Sequence, residues 1–450
     1  VTTRTLDLHL YAPAHPWPQG PGTPVVTQGD LRATVAATPD TLAVHVRLSD
    51  RPRADLRWAL DKLRRKLAAL FPWERVTLHA AEGVDDDTLL TVALDHHDAS
   101  RGHVELVDRP DLDARRARIG AAEDLYRAWV DEDPESRTSL AIARDIERWG
   151  AGRGDVRVEV MEEAALEARG LRLLLAVGGP SRTSPPRLIL ARHTPAAPEA
   201  AARKPWMLVG KGVTFDAGGV NLKPYESFVS MMKNDMGGAA LAWALFRAGV
   251  EAGTWDRPVF LVIPTCENPI GVGAMKPGAV IEAYDGTKVR VDHTDAEGRL
   301  ILADALAFAT AHEDVERVLT FATLTTAALI AYGPYATPVH FPSPGLQTRL
   351  ADASRRTGED LHFFPRRLWH DEANTDEIAD VRNTGRLPNH ASRGAGSRNA
   401  AHFLLRFSKA PLTHLDVFAT TWNWAGDAPG AGPGATGAPL RTLLLALGLA

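Results

Sequence analysis

Apolar positions along this chain repeat with two different periods. Alternation at Leu6, Leu8 and Leu10, and again at Leu42, Val44, Val46 and Leu48, predicts strands with one buried face. Leu56, Leu60, Leu63, Leu67 and Leu70 instead recur at spacings of three and four, which predicts a helix with a single apolar stripe. The run Leu89 to Leu94 predicts a further strand. A helix is expected from Asp111 to Trp129, with Ile119, Ala122, Leu125 and Trp129 on one side and Pro134 barring its continuation. Another is expected over Ser139 to Trp149, closed by Gly150. Unbroken apolar runs at Trp206 to Val209, Val259 to Ile263 and Val318 to Phe321 alternate with helix-like segments. That order implies a mostly parallel or mixed sheet covered by helices. The expected class is α/β, with a small amino-terminal domain over 1–110, a connecting helix over 111–131 and a larger domain over 132–450.

Composition changes this picture little. The chain has 450 residues, 45% hydrophobic and 24% charged, as expected of a globular protein of about two domains. Its net charge of -5 gives no reason to expect nucleic acid or an anionic membrane as the main partner. The single cysteine, Cys266, excludes an intramolecular disulfide and follows a strand-like run, so a buried inert thiol is expected. No signal peptide or apolar stretch of spanning length is evident, which places the protein in the cytoplasm as an expectation.

Candidate chemistry is concentrated between Val209 and Leu300. There VGKGVTFDAGG, LKP, KNDMGG and HTDAEGRL set Asp216, Asp235, Asp295 and Glu297 among Lys211, Lys223 and Arg299. Four carboxylates converging in one cleft repel strongly unless cations neutralise them, and two divalent ions would balance the set. Lys211, flanked by glycine and five residues ahead of Asp216, reads alone as a surface lysine; as a metal ligand it must be neutral, which a nearby cation favours. Asp295, Glu297 and Arg299 follow the strand-like KVRV at Lys288 to Val291 and would share one face in extended backbone. They lead into LILADALAFA, a helix-like stretch beginning at Leu300, so an anion site at a strand end and helix start is expected, with Arg299 read as its cation in preference to a structural salt bridge to one of the acids.

These motifs resemble those of the leucyl aminopeptidase (cytosol aminopeptidase) family of two-metal exopeptidases. The similarity runs from about Ala121 onward and includes LLAVGGPSRTSPPRLIL at Leu174, FATLTTA at Phe321, DVRNTG at Asp380, HLD at His414 and GPGATGAPLRTLL near the end. The resemblance implies one metal held by Lys211, Asp216, Asp235 and Glu297, and a more exchangeable one held by Asp216, Asp295 and Glu297. The oxygen-rich set with one amine suits manganese or zinc. Lys223 is implied to polarise the scissile carbonyl, and Arg299 to bind a bicarbonate that relays a proton. The implied substrates are peptides or dipeptides with a free amino terminus, and the implied assembly is a homohexamer, a dimer of trimers.

Departures from the family pattern accompany the matches. The loop YESFVSMMKN, from Tyr225 to Asn234, holds one more residue than usual, and His293 replaces the asparagine that usually precedes TDAEGRL. A histidine there is read either as an extra ligand or proton acceptor, or as a local backbone hydrogen-bond partner. The implied side-chain pocket comprises Met232, Thr323, Leu324, Thr326, Phe418 and Thr421. Phe418 stands where the family usually has alanine, which predicts a smaller or reshaped pocket poorly suited to leucine. Arg398, in AGSRNAAHFL, stands where an apolar or small residue is usual and reads as a partner for a carboxylate or as a subunit contact. The Gly-rich stretch from Gly426 to Gly437 reads as a plain connection or as part of the site mouth. Two other functions stay open on the sequence: a non-catalytic DNA-binding or regulatory relative, and a hydrolase of small amino-acid amides or special dipeptides.

Overall fold

The computed structural model describes residues 5–13, 23–28, 31–38, 40–49, 51–70, 73–97, 103–385, 395–426 and 428–450. The alternating amino-terminal runs become strands Thr5–Tyr11 and Thr41–Arg47, in which every second residue is buried. They are adjacent and parallel in a six-stranded sheet ordered Thr23–Gln28, Leu31–Ala37, Thr41–Arg47, Thr5–Tyr11, Arg75–Ala80, His103–Leu106. The leucine stripe becomes the helix Arg53–Leu70, packed in the same core as Leu6, Leu8 and Leu10.

The expected strand at Leu89 to Leu94 is instead the helix Asp86–His96. The Asp85 side chain accepts a hydrogen bond from the Thr88 N–H, and Asp86 and Asp87 occupy the first turn, all helix-start chemistry. Leu89, Leu90, Val92, Ala93 and Leu94 are all buried, because neighbours pack on several sides of this helix. A helix covered all round loses its polar stripe, and with it the period that would separate it from a strand.

Helix Pro110–Asp131 leads into the second layer system, and Thr138 caps the helix Ser139–Gly150. A nine-stranded mixed sheet follows, ordered Asp360–Phe364, Ala336–His340, Leu412–Asp416, Arg317–Ala322, Trp206–Gly210, Val259–Asn268, Arg187–His193, Val156–Met161, with Gly212–Asp216 beside Val259–Asn268. Its centre, Trp206–Gly210, is parallel to both neighbours. Successive residues there face opposite sides: Leu208 joins the core beneath helix Gly237–Ala252, whereas Met207 and Val209 join the core beneath helix Gly298–His312. Burial on both faces is why these strands read as continuous apolar runs.

Lys288–Arg290 is a strand, but it lies in a separate three-stranded sheet with Val280–Glu282 and Val381–Arg382. The chain leaves it as an irregular loop, and Glu297 already has helical backbone angles, so Asp295, Glu297 and Arg299 do not share an extended face. Arg299 lies in the first turn of helix Gly298–His312. The Gly426–Gly437 loop is fastened: Arg65 donates to the carbonyls of Gly426, Ala428 and Ala431 at 2.8, 2.9 and 3.0 Å, and Asp131 Oδ1 accepts from Ala435 N–H at 2.8 Å.

Candidate active site

The site forms where the central strands end. Lys211 lies between Trp206–Gly210 and Gly212–Asp216, and Asp216 ends the second of these. Asp235 is delivered by a tight helical segment, Val229–Met236, just before helix Gly237–Ala252, and Glu297 immediately precedes helix Gly298–His312. Carboxylate oxygens of Asp216, Asp235 and Glu297 lie within 4.8 Å of one another, and all three residues are buried. The fourth carboxylate, Asp295, is half-buried and reaches this group through Lys223, whose ammonium pairs with Asp295 and lies 2.8 Å from Asp216 Oδ2. Lys211 Nζ lies 2.7 Å from Asp235 Oδ1, 2.8 Å from Glu297 Oε1 and 2.9 Å from the Thr323 carbonyl.

Charge in this dry cluster is unevenly shared. Burial opposes the Lys211 charge, but Asp235, Glu297 and Asp216 outweigh it and hold the ammonium above its ordinary range. Lys223 behaves alike, with Asp216 and Asp295 outweighing burial. For Asp235 burial wins, and the carboxyl is pushed well above the usual carboxylate range despite Lys211. Burial and repulsion from Asp216 push Asp295 up to about 8. Asp216 goes the other way: Lys223 and Lys211 overcome its burial and keep it below the ordinary value. Lys211 is therefore a counter-ion in this structure, and the sequence argument for a neutral amine applies only beside a further cation.

The cluster fits divalent metal. Oxygens that ligate one ion at about 2.0–2.2 Å can lie no more than about 4.4 Å apart, close to the spread found here. The donors are carboxylates, several with raised affinity for a positive charge, and the lysines only partly neutralise them. Arg299 is 8% exposed, its Nε has no hydrogen-bond partner, and burial lowers its pKa to about 10. Glu297 and Asp416 partly offset that burial, and the open Nε leaves the guanidinium room for an anion.

Several positioning residues escaped the sequence reading. Asn268 Nδ2 donates to Asp216 Oδ1 at 2.7 Å. Asn383, in the DVRNTG motif, holds the HTDAEG loop from both ends: its Oδ1 accepts from Asp292 and His293 N–H at 2.7 and 3.3 Å, and its Nδ2 donates to the His293 and Ala296 carbonyls at 2.7 and 3.2 Å. Asp416, in HLD, accepts from Leu324 N–H, Thr325 N–H and Thr325 Oγ1 at 3.2, 3.3 and 2.6 Å and so shapes the loop after Phe321. An asparagine or aspartate at the end of an apolar run was the available signal; its partner was not.

Of the expected pocket residues, Met232, Thr323, Phe418 and Thr421 are buried and Leu324 is half-buried. Thr326 opens a short helix and is exposed. Thr323 Oγ1 donates to Asp235 Oδ1 at 2.8 Å, and the methyls of Thr323 and Thr421 face the bare Cα of Gly237. The Phe418 ring lies tilted by 36° against Trp424 with centroids 5.1 Å apart, and Trp424 lies tilted by 60° against Phe228 of the Tyr225–Asn234 loop at 5.2 Å. Nδ1 of His293 accepts from the Asp295 N–H at 3.2 Å, the local backbone role. Arg398 lies 4.6 Å over the Phe364 ring and beside His370. Cys266 is buried in strand Val259–Asn268, and burial pushes its thiol pKa well up.

Among the described residues no helix is long and apolar enough to cross a membrane. Comparison with known proteins agrees with this geometry. Similar sequences include a protein named "Probable cytosol aminopeptidase" from Parasynechococcus marenigrum (strain WH8102), 36% identical over 72% of this chain, and one from Syntrophotalea carbinolica, 39% identical over 73%. In both, the match spans 64% of the relative's own length. Among solved structures, the bottromycin maturation enzyme BotP in complex with Mn superposes with a TM-score of 0.80 at 28% identity, covering 98% of both chains. The cytosol aminopeptidase from Coxiella burnetii gives 0.76 at 28% identity over 92% of this chain and 89% of its own. A tomato leucine aminopeptidase mutant shares the fold, with a TM-score of 0.81 at 22% identity. Residues 124–444 match the cytosol aminopeptidase family, catalytic domain, and the chain belongs to that family.

Proposed function

We propose that this protein is a metal-dependent aminopeptidase that removes the first residue from unblocked peptides or dipeptides. The observation that carries the reading is the buried convergence of Asp216, Asp235 and Glu297 beside Lys211, with Lys223 and Asp295 at its edge. Lys211, Asp216, Asp235 and Glu297 would hold one ion, and Asp216, Asp295 and Glu297 a second, manganese or zinc by donor type. When bound, such ions supply Lewis acidity and lower the pKa of water.

The chain's own groups do the rest. Asp235 receives the substrate's free amino group, a contact that an internal peptide bond cannot offer. Lys223 Nζ faces the scissile carbonyl and steadies the oxyanion of the tetrahedral intermediate. Arg299 would hold a bicarbonate, which would supply a proton relay between water and the leaving amine. Phe418, backed by Trp424, narrows the space for the first side chain, favouring small residues over leucine. The same reading takes 1–110 as an accessory domain, 111–131 as a connector and 132–450 as the catalytic domain, in a cytoplasmic homohexamer.

The test is hydrolysis of unblocked Xaa-Gly dipeptides, aminoacyl amides and longer peptides by manganese- or zinc-loaded protein, with Asp295→Ala as control. Turnover that vanishes in the control supports the reading. No turnover with either metal would sink it.

A further inference from the structure

The HLD motif supplies Asp416 to the loop after Phe321, but its histidine has no part in the chemistry above. His414 lies in the middle of strand Leu412–Asp416 and is fully buried. Strand Arg317–Ala322 sets Thr320 in register with it on one side, and strand Ala336–His340 sets His340 on the other. Alternation fixes the face they occupy. Val318, Ala322 and Leu412 join the core beneath helix Gly298–His312, so Thr320 and His414 share that face of the sheet. Arg299 stands in the first turn of the same helix.

The His414 ring is held in one orientation. Its Nδ1 lies 2.9 Å from Thr320 Oγ1, and the His340 ring stacks beside it with centroids 5.8 Å apart and planes 22° apart. Only Nε2 is left to make a further contact. Among the described residues, His414 Nε2 and Arg299 Nε are both buried atoms without a hydrogen-bond partner. The charge that acts on the His414 ring is that of Arg299.

We infer, resting on the reading of Arg299 as the holder of an anion, that His414 is its positioning residue: Nε2 accepts the Arg299 Nε–H through one internal water. Buried polar groups that do not touch directly are satisfied in this way when each side offers a bond. The placement of hydrogens follows. Burial and Arg299 lower the His414 pKa to about 3, so the ring is neutral near pH 7 and has one N–H and one lone pair. Arg299 offers donors only, so the lone pair belongs at Nε2 and the Nδ1–H donates to Thr320 Oγ1. A guanidinium held at Nε keeps both terminal nitrogens, in a fixed plane, for two-pronged contact with an anion.

The test reads the nitrogens directly. In the metal-free, isotope-labelled full chain, long-range proton–nitrogen correlation spectra near pH 7 should show one histidine in the neutral Nδ1–H form, missing from His414→Gln. Arg299→Met should shift that signal, because it removes the donor beyond the water. In the metal-loaded enzyme, His414→Leu should lower kcat about tenfold with KM little changed, and raise the bicarbonate needed for half-activation. His414→Gln, which keeps an acceptor, should recover most of that loss. Adding Arg299→Met to His414→Leu should cost no more than Arg299→Met alone. The wild-type spectrum needs neither metal, bicarbonate nor a folded His414→Leu variant, so it holds or fails apart from the anion reading. A His414 ring protonated at Nε2, or losses from the two substitutions that simply add, would overturn the inference.

Discussion

Replacing Arg441 by methionine should destabilise the protein without touching the carboxylate centre. Arg441 is 2% exposed and lies in the last helix, Leu440–Leu447. Its Nε donates to Glu123 Oε1 at 2.6 Å, its second terminal nitrogen to Glu123 Oε2 at 3.1 Å, and its first to Asp95 Oδ1 at 2.6 Å. Asp95 is also held by Arg57, at 2.7 Å and 2.8 Å, so four buried charges join the amino-terminal helices to the helix Pro110–Asp131 and the carboxyl-terminal helix. Methionine approximates the volume and removes the charge. Asp95 keeps Arg57, whereas Glu123, 1% exposed, is left with Arg127 at 3.6 Å. Breaking one side of a buried pair costs about 3–5 kcal/mol, mostly the penalty of a stranded charge. At roughly 2.1 cal/mol/K per residue of unfolding entropy, a cooperative unit of this size would lose about 3–5 °C in Tm. Adding Glu123→Gln should restore part of that loss. The pH dependence has a definite sign. Burial opposes the Asp95 charge, but Arg57 and Arg441 hold its folded pKa below the unfolded value. Its contribution is therefore present above about pH 4 and lost as pH falls through the folded value. The gap between wild type and variant should hold from neutral pH to about pH 5 and narrow below about pH 4. Calorimetric melts that put Arg441→Met within about 0.5 kcal/mol of wild type at neutral pH would refute the stranded-charge reasoning.

Other outcomes follow from the site itself. A Cβ on Gly298 would lie 2.4 Å from Lys211 Cε and 2.6 Å from its Nζ, so Gly298→Ala should melt near the wild type while losing about a hundredfold or more in kcat, measured at saturating metal. Asn383→Ala removes the hydrogen bonds that hold the HTDAEG loop; metal affinity should fall about 10–100-fold in a direct titration, with a far smaller change in far-ultraviolet circular dichroism. Phe418→Ala should raise kcat/KM for leucine relative to alanine substrates by about tenfold, since methylene-sized changes in a pocket are worth about 1–3 kcal/mol. An unchanged ratio would show that the ring does not border the substrate.

The residues that carry charge chemistry were legible because glycine-rich segments and short motifs mark the ends of strands. Lys211, Asp216, Asp235 and Glu297, which span 87 positions, do meet in one buried cluster, and Lys223 and Asp295 pair at its edge. Legibility failed where a neighbour distant in sequence decides the outcome. Leu89 to Leu94 has the same apolar content as a buried strand, and only an aspartate cap and packing on several sides make it a helix. KVRV is a strand, but pairing with Val381–Arg382 places it in a separate small sheet, which no local pattern announces. Asn383 supports the HTDAEG loop from 90 residues away, and Trp424 packs against Phe228 of the Tyr225–Asn234 loop, so both roles emerge only from the folded chain.

The arrangement of the lysines explains how such a charged cleft can exist in the folded chain. Asp216, Asp235 and Glu297 are 1–3% exposed, and three carboxylates packed that closely without cations would face both desolvation and mutual repulsion. Lys211 bridges Asp235 and Glu297, and Lys223 bridges Asp216 and Asp295, so each ammonium serves two acids. Two positive charges against four carboxylates leave a deficit that falls on Asp235 and Asp295, the two whose pKa values rise. Asp216, pulled the other way by both lysines, stays ionised at the centre. Asp235 and Asp295 therefore hold protons while no ion is bound, and a divalent cation that enters the cluster gains their oxygens by displacing those protons.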